Sequence, residues 1–587
     1  MYGWCGRQVT VDLSDGSFSS ESVPVDSNDS LIGGIGVGAH ALYVRTEGRI
    51  DPLSPENPLI FSTGPLTGTG IGTSGRFCVT CISPLTSLYL QSHSGGHLGP
   101  ELKYAGIDHL YIEGKSDKPC YIYIDDGHVE VRSAAHVWGK GVKAATRMLE
   151  DETDPEARVA SIGPAGESLC LMATIQNDVY RSCGRGGAGA VMGSKNLKAV
   201  VVRGTGAVDV FDPDTIASYL RQVGDTAKSR AAPFSEYGTA NAGILTSAAG
   251  VLPTRNFTSG TFGRIRDIAG EAMKDTVWKS RRSCFSCPIG CSQYSVNGGV
   301  RTEGPEYETT FSLGSNLLNG DMNALVAANE RANDLGIDTI SAGVTLSWYE
   351  EACEKGLFDR DPRWGDGGHI IDMLQKMAYR KDEGDLLADG VRRASERMGG
   401  SDYAIHVKGM ELPGYDPRTC QGMAISYATS SRGACHLRAP IYVNEIFTKK
   451  LSARTLESKA AHVVELENIL VVMDCLIVCR FGSRTLMQQD FGGAASLLRL
   501  VTGKEYGETE LEDIAQRIVA MQRLINIRQG LTSSDDTLPE RFFTQSLDGQ
   551  QLDRNEFREA IGDYYSLRGW DGAGVPGKDL QKRLHIV

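Results

Sequence analysis

Residues 198–204 read KAVVVRG and residues 211–214 read FDPD, and the character of the chain turns over between them. The first is a β-branched run ended by glycine, the mark of a buried strand. The second is a short linker whose aspartate precedes a proline, as at the start of a helix. Upstream, strand-like runs dominate: RQVTVDL (7–13) and FSSESVPV (18–25) flank Ser14–Asp15–Gly16, a hairpin signal. Further strands are predicted at 58–63, 76–82, 109–114, 120–125, 128–133 and 158–163, with one helix at 141–150. Downstream, helix-period apolar spacing marks 212–227, 321–333, 341–355, 369–379, 385–398, 456–476 and 508–527. The predicted fold is α+β: a β-rich domain over 1–206, then two mostly α-helical domains over 207–410 and 411–587. The second break is placed near 407–413. No internal repeat interrupts this pattern.

Composition narrows the function classes. A length of 587 residues suggests two to four domains, at about 150 residues each. Hydrophobic residues make up 41% and charged residues 23%, which excludes disorder as the main state. Sixty Lys and Arg against 73 Asp and Glu leave a net charge of −13, which argues against nucleic-acid binding. The start, MYGWCGRQVTVDL, lacks the basic-then-apolar pattern of a secretory leader. The best apolar run, 469–479, is short and carries Asp474, so no membrane span is expected and the protein is read as cytoplasmic. In that setting the 14 cysteines are expected as reduced thiols and metal ligands.

The strongest chemical signal is SCFSCPIGC at 283–291. Cys284, Cys287 and Cys291, spaced C-x2-C-x3-C, can turn three sulfurs toward one point, as an iron–sulfur cluster requires. Structural zinc is the competing reading, although it more often pairs two C-x2-C knuckles or adds histidines. A fourth cysteine must come from elsewhere, and Cys475 and Cys479 are the candidates. Cys5, Cys78, Cys81, Cys120, Cys170, Cys353, Cys420 and Cys435 read as plain buried thiols.

Glycine, at 69 residues or about 12% against a usual value of about 7%, is the compositional outlier. The loop GRGGAGAVMGSK (184–195) fails the Walker spacing. Its Gly184-x-Gly186-x-x-Gly189 letters follow a polar segment, 176–183, that makes a poor strand, so NAD is not expected. With Ser94–Gly95–Gly96 and Thr73–Ser74–Gly75–Arg76, this loop suggests one large, rigid, hydrogen-bonding ligand. Tight turns are the plainer reading of each loop alone.

These stretches, with DPLSPENPLIF (51–61), GPLTG (64–68), GPELK (99–103), EGPEYET (303–309), GIDTIS (336–341) and RGACHL (432–437), resemble the aldehyde ferredoxin oxidoreductase family over nearly the whole chain. The resemblance implies a tungsten or molybdenum bis-pterin cofactor on the β domain, covered by the helical domains, beside a [4Fe–4S] cluster. It implies that Cys284, Cys287, Cys291 and Cys479 hold the cluster, with Arg76 between cluster and pterin. It places His93 and the carbonyl of Cys183 near a Mg2+ joining the pterin phosphates. The remaining implied cofactor contacts are Ser94, Gly95, Gly96, Gly184, Arg185 and Gly186, with Asn333, Gly336, Ile337 and Asp338 of NDLGID (333–338) and Asp474 and Val478 of DCLIVC (474–479). No cysteine is placed as a ligand to the pterin metal, which would be held by pterin dithiolenes alone.

Three positions depart from the family pattern: His93 stands for a common Asn, Asn333 for Asp and Ile477 for Gly. Magnesium prefers oxygen ligands, which argues against His93 as a direct ligand and leaves it a hydrogen bond. The implied reaction converts an aldehyde to a carboxylic acid with water as the oxygen source. The electrons would pass through the cluster to ferredoxin or a partner iron–sulfur subunit, in a homo- or hetero-oligomer. Glu308 is the expected proton-transferring acid and His436 a hydrogen-bonding imidazole. From the residues alone, Glu308 would serve as well as a helix cap and His436 as a core histidine, with Glu306 the alternative acid. The rival readings are the catalytic subunit of a tungsten enzyme reducing an activated aromatic ring, of the benzoyl-coenzyme A reductase type, and an electron-transfer or zinc-stabilised scaffold.

Overall fold

The computed structural model describes residues 1–23 and 30–586, so the end of the strand predicted over 18–25 lies outside the described residues. The first sheet runs β1 (Arg7–Asp12), β2 (Ser17–Ser22), β3 (Leu59–Ser62), β4 (Phe77–Ile82), β5 (Tyr89–Ser94) and β6 (His109–Glu113), in spatial order β2-β1-β6-β3-β4-β5. The predicted hairpin forms, with Val11 opposite Phe18. The second sheet runs β7 (Cys120–Asp125), β8 (His128–Ser133), β9 (Arg158–Ser161), β10 (Ile175–Asn177), β11 (Arg181–Cys183) and β12 (Leu197–Arg203), ordered β11-β10-β9-β12-β7-β8. Val9, Phe61, Phe77 and Leu110 of the first sheet share one apolar core with Ile122 and Val200 of the second.

Strand alternation sends each sheet's other face to a helix. Cys78 and Ile82 join the core of the helix Gly34–Arg45, while Tyr121, Tyr123 and Val201 pack with Ala145 and Leu149 of the helix Val142–Glu152. The first of these helices is not legible in the sequence, because GIGVG opens it with three glycines that ordinarily weaken a helix. Packing explains them: a side chain at Gly38 would collide with Thr80 of β4.

The remainder of the chain is mainly helical, as the change after residue 206 predicts. Asp212 accepts a hydrogen bond from the Thr215 amide (3.0 Å), and Asp321 caps the helix Met322–Leu335 in the same way. The helix predicted over 385–398 is instead two, Glu383–Leu387 and Gly390–Met398. They part at Gly390, whose φ of +82° no continuous helix allows. A sheet that the periodicity does not reveal, β13 (Trp278–Arg282), β14 (Ser292–Asn297) and β15 (Val300–Glu303), carries the cysteine loop between its first two strands. Residues 410 and 411, where a domain break is expected, are strand β17 (Met410–Glu411) of a two-strand hairpin with β16 (His406–Val407). Among the described residues no helix is long and apolar enough to cross a membrane.

Candidate functional site

The cysteine loop is closed at its base by the pairing of Arg282 with Ser292. Cys479 arrives from the far end of the sequence, at the N-terminus of the helix Arg480–Thr485. Its amide donates to the Thr73 carbonyl at 3.1 Å, and the Phe285 amide of the cysteine loop donates to the Gly96 carbonyl at 3.0 Å. Cys284, Cys287, Cys291 and Cys479 thereby line one cavity of about 320 Å3. Cys475 does not reach it. Its side chain is fully buried near the glycine-rich helix, where the Gly36 amide meets its sulfur and burial pushes the thiol pKa up. Among the described residues no three His, Cys, Asp or Glu side chains converge on a single ion. Four thiols on one cavity are a donor set that an iron–sulfur cluster or a zinc ion could take.

Glycines near the loop make room for it, and Gly95 also lines the cavity. A Cβ at Gly95 would stand 2.7 Å from the Cys284 sulfur, and one at Gly75 would stand 2.6 Å from the Phe285 Cβ. These positions must be bare for the cysteine loop to sit down. Gly96, at φ +92°, abuts Asn177 and Asp178. In the 184–195 loop only Gly184 lines the cavity; Gly186 packs on Leu90 and its carbonyl accepts from the Ser83 hydroxyl at 2.6 Å. A short strand, β11, does precede this loop. It runs antiparallel to β12, through β10 and β9, so the unit is not the parallel βαβ of a dinucleotide fold.

Arg76, His93, Asn333, Ile337 and Asp338 also line the cavity. Arg76 donates to the His93 carbonyl at 3.4 Å. Burial drives the His93 imidazole down to about 3 in pKa, against the pull of Asp474, and its buried Nε2 has no hydrogen-bond partner. Ser94 and Cys183 are buried in their strands, Gly336 terminates the helix Met322–Leu335 at φ +70°, and Val478 belongs to the hydrophobic core. Asp474 lies behind the lining. Burial would raise its pKa, but Arg480 (2.7 Å), His93 and Arg438 outweigh that and lower it.

Arg185, which the resemblance implies as a cofactor contact, is held by protein partners. Its guanidinium is buried and spent on protein: Nε to Asp338 (3.3 Å), Nη1 to the Ala434 carbonyl (2.7 Å) and Nη2 to the Glu411 carbonyl (2.5 Å). It ties the glycine loop of the β region to three later segments, at Asp338, Glu411 and Ala434. Arg185→Leu is expected to lower stability by about 3 kcal/mol, since one partner of a buried pair is left alone; thermal unfolding at fixed iron content measures it.

Glu308 lies in the first turn of the short helix Tyr307–Ser312, and its Oε2 accepts the Gly414 amide at 2.9 Å. His436 Nε2 stands 3.5 Å from Glu308 Oε1. Burial raises the Glu308 pKa to about 7 and, with Arg185 and Arg432, lowers that of His436 well below its usual value. The geometry would suit an ion pair, but burial drives both groups toward neutrality. The pair is a neutral imidazole beside a carboxyl that titrates near neutral pH. Glu306 lies elsewhere, bonded to Thr239 on the cysteine side of the cavity. Neither Glu308 nor His436 lines that cavity, although the next residue, Thr309, does.

Residues 8–204 match the family description "Aldehyde ferredoxin oxidoreductase, N-terminal domain", and residues 215–586 match "Aldehyde ferredoxin oxidoreductase, domains 2 & 3". The chain belongs to the aldehyde ferredoxin oxidoreductase family. It is similar to the tungsten-containing aldehyde ferredoxin oxidoreductases of Pyrococcus horikoshii (38% identity, 99% of both chains) and Pyrococcus furiosus (37%, 100% of both). Among solved structures it resembles the active site complex BamBC of benzoyl coenzyme A reductase with 1,5-dienoyl-CoA, at a TM-score of 0.87 and 26% identity, covering 100% of this chain and 97% of the other. Like its family, the chain is an oxidoreductase.

Two features of this aldehyde ferredoxin oxidoreductase family member escaped sequence reading. Four tyrosines gather near the Glu308–His436 pair. Tyr415 stacks on Tyr442 at 3.8 Å between ring centroids and lies 5.3 Å from Tyr307, whose hydroxyl donates to the Gly414 carbonyl; Tyr427 donates to the Tyr415 carbonyl. Their spacing in the chain carries no period that would announce the cluster. Cys435 is also no plain thiol. Burial would raise its pKa, but Arg432, 2.8 Å from the sulfur, turns the shift downward.

Proposed function

We propose that the protein oxidises aldehydes to carboxylic acids, R–CHO + H2O → R–COO− + 3 H+ + 2 e−. The observation that carries this reading is the approach of Glu308 to His436 in a buried, aromatic-walled site beside the thiol-lined cavity. The residues fit the cofactors of the family: four thiols on one cavity, and a buried His93 Nε2 with no hydrogen-bond partner, 3.9 Å from Asp474 and near Arg76 and Arg480. Cys284, Cys287, Cys291 and Cys479 would hold a [4Fe–4S] cluster. Arg76, His93, Gly184, Asn333, Ile337 and Asp338 would face a bis-pterin tungsten or molybdenum cofactor, with Mg2+ among its phosphates. When bound, these groups supply the two-electron chemistry at the substrate and the one-electron exit.

The chain's own part is to shape the pocket and move protons. Glu308, half ionised near pH 7, takes a proton from the attacking water when it is a carboxylate. His436, neutral throughout, donates or accepts one hydrogen bond at the carbonyl oxygen. The tyrosines exclude bulk water and give the Glu308–His436 pair apolar, aromatic walls against which the aldehyde would bind. The chain divides into domains over 1–206, 207–410 and 411–587, works in the cytoplasm, and passes its electrons to ferredoxin or an iron–sulfur subunit. Iron, tungsten, molybdenum and pterin analysis of the purified protein, combined with an aldehyde panel and a viologen acceptor, tests it. Metal-loaded protein without aldehyde turnover, but active on an aromatic thioester, would favour the ring-reducing chemistry in the name of the BamBC structure.

A further inference from the structure

Strand β13 reads Trp278–Lys279–Ser280–Arg281–Arg282, and every residue from Lys279 to Ser283 is exposed. It is an edge strand, hydrogen-bonded within the sheet only to β14. Its cations are not neutralised: among the described residues no carboxylate forms an ion pair with Lys279, Arg281 or Arg282. The nearest acids in the sequence, Glu271 and Asp275, sit on the preceding helix Gly270–Thr276. In a chain of net charge −13, three adjacent unpaired cations are a local reversal of sign.

Their position matters as much as their charge. The stem of Arg281 covers the cysteine loop, since a Cβ at Gly290 would meet its Cδ at 2.8 Å. Arg282 stacks on Tyr294 at 5.1 Å and borders the thiol-lined cavity. Within the loop, Cys284, Cys287 and Cys291 are only half-buried, and Ser283 and Ser286 between and beside them are exposed. Here the thiols come close to solvent, and a cationic rim frames the opening. Electron transfer falls steeply with distance, so a protein acceptor has to settle over the thiols it serves.

We propose that the β13 edge and the adjoining cysteine loop form the docking face for an acidic redox protein, which accepts the two electrons of each turnover one at a time. This rests on the reading that the four thiols hold the electron-exit cluster. Lys279 and Arg281 steer the negatively charged partner by long-range attraction, a contribution that appears in association rate and salt dependence.

The test uses the metal-loaded full chain, with an acidic low-potential ferredoxin and a small viologen as alternative acceptors. The double variant Lys279→Glu/Arg281→Glu is expected to lower kcat/KM for ferredoxin roughly tenfold or more at low ionic strength. The deficit should shrink as salt screens it, over a length of about 10 Å at 0.1 M. Viologen turnover and iron content should stay near wild type, and Arg281→Lys should behave as wild type with ferredoxin. Calorimetric titration of the protein with ferredoxin, in the absence of aldehyde, should show the same loss of affinity. If the double variant keeps wild-type ferredoxin kinetics and affinity, the proposal is overturned and the cations only guard an edge strand against pairing. If ferredoxin binds at β13 but no aldehyde is oxidised with either acceptor, the docking face stands and the proposed reaction fails.

Discussion

Glu308→Gln is expected to lower aldehyde turnover by roughly 10²-fold or more while the protein keeps its iron, its pterin and its fold. The amide preserves the shape of the carboxyl and can still accept the Gly414 amide, but it cannot hold or release a proton. Wild-type activity should rise with pH through about 7, because burial raises the Glu308 pKa to that value and the carboxylate is the proton acceptor. That acidic limb should be absent from the residual activity of the variant. His436→Asn should also cost roughly 10²-fold, with the limb near 7 retained, since burial holds the imidazole pKa well below its usual value. Rates across pH, measured alongside metal and pterin content, decide between roles. Loss of pterin in either variant would make that residue structural, and full activity at every pH would return attention to Glu306.

Cys479→Ala is expected to yield protein with a three-iron cluster or none, whereas Cys475→Ala keeps the full complement. Cys479 stands with Cys284, Cys287 and Cys291 on the cavity, and Cys475 is fully buried away from it. Three thiolates leave one corner of a four-iron cluster without a ligand. Iron per chain and EPR of both variants read this directly. The reverse pattern would assign the fourth ligand to Cys475 and require the segment 474–479 to rearrange.

Local chemistry determined much of this protein. KAVVVRG and CYIYID became strands because β-branched and aromatic residues suit a pleat buried on both faces. Asp212 capped its helix because a short carboxylate reaches the free amides there. The C-x2-C-x3-C spacing fixed three thiols within one loop. Other decisions needed residues distant in the chain to meet. The helix Gly34–Arg45 keeps its glycines because Gly38 packs on Thr80 and Gly36 on Leu31 and Ile518, a packing demand that no local propensity contains. Arg185 looks like part of a phosphate loop in sequence, yet its donors are claimed by Asp338 and by carbonyls more than two hundred residues away. Spacing alone left both Cys475 and Cys479 as candidates, four residues apart, and only the family resemblance favoured Cys479. The αR-to-extended turn after the helix Lys459–Cys475, through Ile477 at φ +62°, buries one and delivers the other to the cavity. The resemblance favoured Glu308 with Glu306 as the alternative, and folding sets Glu308 3.5 Å from His436. Side-chain type and spacing decide which groups can do chemistry, but pKa and partnership depend on burial and on neighbours, which only the folded chain supplies.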